Sequence, residues 1–177
     1  MGENPRIEDL RRRVQRDPAS IAFAQLAEEH RRARQFQESV DVCRAGLVVH
    51  PAYVSARVTL GRSLIELGAL DDAQRELQLV LDSAPDNLPA IRGLAEIHRR
   101  RGAVVAALAH YEAALRLAPN DPDLEQHVQD LTRAAMAMAQ ANLDPSRDAE
   151  SGRAVRTIAA LERWLEAIHG TGAERRA

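Results

Sequence analysis

A chain of 177 residues is long enough for one compact domain or one short array of repeats, and too short for two ordinary domains joined by a linker. Its residues are 45% hydrophobic but only 3% aromatic, and the abundance of Ala and Leu favours helices over strands. The formal net charge of −2 argues against an overall electrostatic attraction to nucleic acid or to an anionic membrane.

All 24 basic residues are Arg, which is typical of a GC-rich, bacterial genome and excludes any chemistry that needs a lysine amine. The single cysteine, Cys43, excludes an internal disulfide and fits a reducing compartment. The sequence shows neither a signal-peptide core nor a run of about 18 apolar residues. These features predict a soluble, cytoplasmic protein.

The first predicted element is a short helix within residues 1–17. Asn4 and Pro5 are typical of a helix N-cap and first turn. After them, three apolar residues recur at helical spacing: Ile7, Leu10 and Val14. We expect this helix to cap the elements that follow.

The chain from residue 18 to residue 121 repeats with a period of 34 residues. Prolines, leucines and small residues recur at that offset: Pro51, Pro85 and Pro119; Leu26, Leu60 and Leu94; Ala27, Gly61 and Ala95. Each unit contains two helical stretches joined by a short turn, which Gly68 and Gly102 mark in two of the units. Small residues let two helices approach to about 8–10 Å, and proline ends a helix because it lacks an N–H.

With these residues in register, the chain resembles the tetratricopeptide repeat (TPR) family. Three units cover about residues 20–53, 54–87 and 88–121. The resemblance implies an all-α, right-handed superhelical solenoid of helix-turn-helix repeats with capping helices at both ends. We expect seven helices from residue 5 to about residue 118.

The units depart from the family pattern at a few positions. Tyr111 stands at the family's aromatic position 24, but Cys43 and Leu77 replace that aromatic in the other units. Arg57 stands where the family usually has Trp or another large apolar residue, and Val80 replaces a small residue.

Three further segments follow the repeats. Residues 122–142 keep a helical apolar spacing and are predicted to form a capping helix, whereas residues 143–152 contain Pro, Gly and Ser and are predicted to be a linker. Residues 153–177 are predicted to form an amphipathic helix and tail, whose apolar stripe is a candidate interface: Ile158, Leu161, Trp164, Leu165 and Ile168. We expect this stripe to dock on the capping helix; the protein's own groove and a second copy of the chain are the alternatives.

No motif for catalysis, cofactor binding or a metal site is recognisable, so we predict neither an enzyme nor a cofactor. The six histidines include no pair at a spacing of i, i+3 or i+4. His30 and His98 are expected to form hydrogen bonds between helices, and Cys43 is expected to be a buried, inert thiol. Short Arg runs lie beside acidic residues and almost no aromatics, which disfavours nucleic-acid binding.

The resemblance implies that the first helix of each unit lines a concave, partner-binding groove. Its inward positions carry these charged residues: Glu28, Arg31 and Arg32; Arg62 and Glu66; Arg92, Glu96, Arg99 and Arg100. Six arginines and three glutamates give the groove a local charge of +3, opposite in sign to the whole chain. The alternative explanation is that the last turns of helices favour cations in any protein.

One specialised version of the family binds the terminal carboxylates of heat-shock chaperones through Lys, Asn and Arg. Those positions here hold other residues: Ala24, Glu28, Thr59, Pro89 and Gly93. The resemblance therefore does not extend to chaperone-tail binding.

The sequence predicts a non-enzymatic adaptor that binds an acidic peptide or helical segment of a partner protein in the groove. Arg62, Arg92 and Arg99 are expected to share one surface and to contact that ligand. The alternative is a structural module that forms a homodimer through its C-terminal helix. Neither hypothesis involves nucleic acid or a membrane.

Overall fold

A computed structural model of the protein describes residues 5–142 and shows eight helices in that range. They are α1 (Pro5–Arg16), α2 (Ala22–Arg32), α3 (Phe36–Val49), α4 (Val54–Glu66), α5 (Leu70–Ser83), α6 (Leu88–Arg100), α7 (Val104–Leu117) and α8 (Pro122–Asn142). Residues 5–142 contain no β-strand, which confirms the all-α prediction.

The chain divides into two compact units, Met1–Ala134 and Ala135–Ala177. Of the second unit, only the helical continuation of α8 up to Asn142 is described. The predicted linker at 143–152 and the predicted C-terminal helix at 153–177 lie outside the described residues. Docking of the stripe from Ile158 to Ile168 therefore stays a prediction.

The described part of the larger compact unit, residues 5–134, is a solenoid of helix pairs. Helices α2 and α3, α4 and α5, and α6 and α7 pack as hairpins, each hairpin packs on the next, and α1 packs on α2. The first helices of successive hairpins also meet, because α2 contacts α4 and α4 contacts α6. This arrangement brings side chains from positions 34 residues apart onto one surface.

The helix boundaries follow from local chemistry. Pro51, Pro85 and Pro119 each stand two residues beyond the last residue of α3, α5 or α7. The Asn87 side chain accepts a hydrogen bond from the Ala90 amide at 3.0 Å and caps α6. Asp121 caps α8 in the same way by accepting from the Leu124 amide at 3.2 Å.

The packing centres on small residues that face Leu77. Leu77 is fully buried, and a Cβ atom added at Gly61 or Gly93 would lie 2.6 or 2.5 Å from one of its methyl carbons. Helices α4 and α6 can therefore approach α5 only because these positions lack a side chain. Cys43 and Tyr111, the equivalents of Leu77 in the other units, are buried as well.

Arg57 does not pack as the aromatic of the family pattern would. Its Nη1 atom lies 2.6 Å from Glu76 Oε2, and its Nε and Nη2 atoms donate to the Pro51 carbonyl at 2.9 and 2.6 Å. The arginine thus ties α4 to α5 and to the preceding loop through polar contacts.

The turn inside each helix pair has the same backbone geometry in all three units. Gly68 and Gly102 have φ angles of +78° and +71°, and Arg34, at the equivalent position in the first unit, has a φ of +60°. The next amide in each turn, that of Gln35, Ala69 or Ala103, donates to a carbonyl five residues back at 2.9 Å. Arg34 therefore adopts a left-handed conformation that favours glycine.

We expect Arg34→Gly to raise the free energy of unfolding by about 1 kcal/mol, because left-handed backbone costs a side-chain-bearing residue about 1–2 kcal/mol and glycine's greater unfolded entropy offsets part of the gain. The Arg34 side chain is exposed, so little contact is lost. Urea denaturation of the full chain measures the change. Arg34→Ala is the control, since it removes the charge but keeps Cβ; an equal gain in that variant would show that backbone strain is not the cause.

Candidate functional site

Two adjoining cavities lie on the surface formed by α2, α4 and α6, which we call the groove. The first, the charged cavity, has a volume of about 440 Å³ and is lined by three arginines and two glutamates among other residues: Arg31, Arg62, Arg92, Glu66 and Glu96. The second, the apolar cavity, has a volume of about 610 Å³ and includes Ala24, Tyr53, Val54 and Val58 in its wall. Arg62 and Pro89 line both cavities.

Two equivalent ion-pair clusters occupy the groove helices of the first and third units. Glu28 accepts from Arg31 Nε and Nη2 at 2.8 and 2.7 Å, and from Arg32 Nε at 3.1 Å. Glu96, two 34-residue periods later, accepts from Arg99 Nε and Nη2 at 2.7 and 2.8 Å, and from Arg100 Nε at 2.6 Å. Both glutamates therefore bind one arginine through two parallel hydrogen bonds, the strongest geometry of such pairs.

These contacts keep both carboxylates ionised. The hydrogen bond from Arg31 lowers the pKa of Glu28 to about 2, although partial burial acts in the opposite direction. Partial burial raises the pKa of Glu96, but hydrogen bonds from Arg99 and Arg100 outweigh it and lower that pKa to about 2. The charge of these clusters is thus fixed at neutral pH.

We expect the two clusters to make stability depend on acid pH. A carboxylate whose pKa is lowered by folding stabilises the protein above its ordinary pKa of 4.5 and loses that contribution as the pH falls toward about 2. The double variant Glu28→Gln/Glu96→Gln should therefore be less stable than the wild type at pH 6, by about 1–2 kcal/mol per site after solvent screening. The difference should shrink between pH 5 and pH 2.

Urea denaturation at a series of pH values measures this difference. Glu112→Gln, at an exposed position of α7, is the control and should change stability little at any pH. A gap between double variant and wild type that stays constant down to pH 2 would contradict the role of these carboxylates.

Two more groove arginines have partners outside their own helix. Arg92 Nη1 lies 2.7 Å from Asp121 Oδ2, which belongs to the loop before α8. Arg100 also donates to the Ile65 carbonyl at 2.6 Å and lies 3.5 Å from Glu66 Oε1. The contacts of Arg100 join the third unit to the second, and that of Arg92 joins α6 to the loop before α8.

Arg62 differs from the other five groove arginines, because it forms no hydrogen bond or ion pair with any described residue although its side chain is exposed in the groove. It occupies the position that Glu28 and Glu96 hold in the other units, and Ile65 stands where those units have Arg31 and Arg99. The second repeat therefore has a cation where the other two have a carboxylate, and it lacks the arginine that would pair with a carboxylate there.

The surroundings of Arg62 are unfavourable for a cation. Partial desolvation by the groove walls lowers the pKa of Arg62, and the charges of Arg31 and Arg92 lower it further, while Glu28 and Glu66 oppose them. Arginine stays protonated in spite of such a shift. An anion that reaches this guanidinium would relieve the repulsion among the three arginines.

The predicted groove residues thus separate into different groups. Arg31, Arg62, Arg92, Glu66 and Glu96 line the charged cavity, and Glu28 and Arg32 line the apolar cavity. Arg99 and Arg100 line neither cavity and are held by Glu96.

Sequence reasoning did not identify Asp121 as a groove residue. It caps α8 and also pairs with Arg92, a residue 29 positions earlier. The capping role is recognisable from the Asp-Pro-Asp sequence, whereas the contact with Arg92 depends on how the third hairpin meets α8 and leaves no local signal. Tyr53, in the wall of the apolar cavity, was missed because it precedes the first helix of its unit.

The histidines and the cysteine occupy structural positions. His30 Nδ1 lies 2.8 Å from Gln35 Oε1, and the His98 ring lies 5.1 Å from that of His110 across α6 and α7. Burial raises the pKa of the Cys43 thiol to about 12, so it holds its proton at neutral pH. Within residues 5–142, no three His, Cys, Asp or Glu side chains are grouped to hold a metal ion. No helix of that same range has the length and apolar character needed to cross a membrane.

Comparison with known proteins identifies the architecture. A family model for the tetratricopeptide repeat matches residues 24–87 and 58–122. The Protein CTR9 homolog of Arabidopsis thaliana is 38% identical over 68 residues, which cover 38% of this chain and only 6% of that relative.

Solved structures share the fold at low sequence identity. MamA 41-end from Desulfovibrio magneticus RS-1 has a TM-score of 0.68 at 17% identity, over 77% of each chain. The first TPR of Spaghetti (RPAP3), bound to the HSP90 peptide SRMEEVD, has a TM-score of 0.63 at 13% identity, over 67% of this chain and 94% of that one.

Proposed function

Because the chain belongs to the tetratricopeptide repeat family, we propose that it is a non-enzymatic adaptor that binds an acidic peptide or helical segment of a partner protein in the groove. Repeats of this family are protein-interaction modules, and the fold supports such a role here. The observation that carries the acidic preference is Arg62, an exposed arginine that has no partner within residues 5–142 and lies between two clusters in which every arginine has one.

The groove has more arginines than glutamates, but few of these arginines are available to bind an anionic ligand. The six arginines and three glutamates give a formal excess of positive charge, but most of the arginines already contact carboxylates of the protein itself. An uncommitted guanidinium gains more from a ligand carboxylate than one that must first lose an internal partner. Binding is therefore expected to depend mainly on Arg62.

The ligand is expected to differ from a chaperone tail. The solved Spaghetti (RPAP3) domain binds an HSP90 peptide, which supports peptide binding as a use of this fold. In this chain, Ala24, Thr59 and Gly93 stand at positions where the specialised chaperone-binding repeats use Lys, Asn and Arg. The anion site proposed here is formed by other positions.

Affinity capture with the full chain tests this function. Proteins retained by the wild type are identified by mass spectrometry and compared with those retained by Arg62→Glu and by Arg116→Glu. Arg116 is an exposed arginine of α7, outside the groove, and serves as the matched control. The proposal requires partners that the control variant keeps and Arg62→Glu loses; partners retained equally by all three proteins would overturn it.

A further inference from the structure

The two cavities of the groove meet at Arg62, which suggests that they are used together. Arg62 and Pro89 belong to the walls of both. An extended peptide advances about 3.3–3.6 Å per residue. Two side chains that enter the two adjoining cavities on either side of Arg62 are therefore expected to lie within about three positions of each other in the ligand sequence.

The charged cavity matches a single carboxylate better than a phosphate group. Its three arginines and two glutamates leave a formal charge of one positive unit. Arg31 is bound in a bidentate pair with Glu28, and Arg92 is paired with Asp121, so Arg62 is the one arginine of the three without a carboxylate partner among the described residues. A carboxylate carries one negative charge, whereas a phosphate monoester carries about two at neutral pH and would meet Glu66 and Glu96 as well.

The apolar cavity is suited to an uncharged side chain. Tyr53, Val54 and Val58 contribute to its wall, and the Tyr53 ring is held against Phe23 with the ring centroids 5.7 Å apart. Apart from Arg62, which both cavities share, the charged residues of its wall are paired: Glu29 lies 3.2 Å from Arg6 and 3.4 Å from Arg32, and Glu28 accepts from Arg32. A ligand gains little electrostatically here, so burial of apolar surface is the available driving force.

On the basis of the proposed function, we propose that the groove recognises a bipartite motif: one aspartate or glutamate within about three positions of a large aliphatic or aromatic residue. The carboxylate binds Arg62 in the charged cavity. The apolar side chain packs on Tyr53, Val54 and Val58 in the apolar cavity. Arg62 lies beside both groups, because it belongs to the walls of both cavities.

A displayed library of random short peptides, selected on the immobilised full chain, tests this motif. Enrichment of an acidic residue within about three positions of a large apolar residue is the expected result. Enrichment of acidic residues without an apolar neighbour would overturn the bipartite motif and leave the adaptor function standing. No enrichment at all would overturn both.

The affinity of an enriched peptide for variants of the chain shows which cavity binds each of its two side chains. Arg62→Met should lower the affinity roughly tenfold to a hundredfold. It should leave the affinity unchanged for the same peptide with its acidic residue replaced by Gln. An equal loss for both peptides would refute the contact with Arg62.

Ser55→Trp fills the apolar cavity from an exposed position of α4 and should lower the affinity by roughly tenfold. Its matched control is Gln78→Trp, at an exposed position of α5 that lines neither of the two groove cavities. Circular dichroism and thermal denaturation verify that each variant is folded. Equal affinity for the peptide and for its apolar-to-Ala analogue in the wild type would overturn the apolar half.

A peptide with phosphoserine in place of the acidic residue tests the charge argument. Weaker binding than that of the carboxylate peptide is expected, because the cavity offers one net positive charge and contains Glu66 and Glu96. Tighter binding by the phosphopeptide would overturn the assignment of the ligand as a carboxylate.

Discussion

Leu77→Ala is expected to lower the free energy of unfolding by about 3–5 kcal/mol, the upper part of the range for such truncations. Leu77 is fully buried in a core cluster with Cys43 of α3, Leu64 of α4 and Leu94 of α6. The cost depends on how far the neighbours can fill the space that is lost. Gly61 and Gly93 face Leu77 and have no side chains that can move into it, so the cavity should remain open.

Urea denaturation, followed by the helical circular dichroism signal, measures this loss. Leu79→Ala is the matched control, because Leu79 lies on the same helix but is 48% exposed. Its effect should stay within about 0.5 kcal/mol. Similar effects of the two substitutions would show that the Leu77 contact does not hold the three helices together.

The same geometry makes the effect of Gly61→Ala depend on Leu77. The new Cβ atom would lie 2.6 Å from the Leu77 Cγ and Cδ2 atoms, so the substitution should cost about 1–3 kcal/mol in the wild type. In Leu77→Ala those atoms are absent, and alanine is the better helix former by about 1 kcal/mol. Gly61→Ala should therefore be neutral or stabilising in that background, and simple additivity of the two costs would contradict the proposed contact.

The 34-residue period predicted the two helices of each repeat, and the resemblance to the tetratricopeptide repeat family predicted that these pairs stack as a solenoid, in which equivalent positions meet equivalent neighbours. Cys43, Leu77 and Tyr111 differ greatly in size, yet all three are buried at the same place in the hairpin. The resemblance to the repeat family predicted that the first helix of each unit lines a groove, and α2, α4 and α6 carry the two cavities. Arg34 shows the limit of predicting turns from the repeat pattern. The turn of the first repeat keeps the left-handed backbone conformation that favours glycine, although the sequence has Arg at that position.

Which of the groove arginines have carboxylate partners was harder to predict from the sequence. The pairs of Glu28 with Arg31 and of Glu96 with Arg99 follow the helical spacing of i, i+3, which a sequence pattern can show. The pair of Arg92 with Asp121 joins residues 29 positions apart, and its geometry depends on the packing of α6 against the start of α8. Charge counting alone therefore treated Arg62, Arg92 and Arg99 as equals.

The structure ranks these three arginines for the last prediction. Arg62→Glu should weaken binding of the captured partner by on the order of a hundredfold or more, since it removes an available cation and adds a repulsive charge. Arg99→Glu and Arg92→Glu should each have a smaller effect on affinity, because Arg99 is already bound by Glu96 and Arg92 by Asp121. The triple variant should then lose little more affinity than Arg62→Glu alone.

The losses of melting temperature caused by Arg62→Glu and Arg99→Glu should rank in the opposite order to their losses of affinity. This difference distinguishes an arginine that binds the ligand from one that stabilises the fold. Arg62→Glu breaks no hydrogen bond or ion pair with a described residue and places a carboxylate near two cations, Arg31 and Arg92, and two carboxylates, Glu28 and Glu66, so the melting temperature should change little. Arg99→Glu breaks the bidentate contact with Glu96 and sets two carboxylates side by side, so the melting temperature should fall. Titration calorimetry and thermal denaturation of the three single variants and the triple variant measure both orders. If Arg99→Glu lowers affinity as much as Arg62→Glu does, the ligand contacts the far end of α6, and Arg62 is not the principal anion site of the groove.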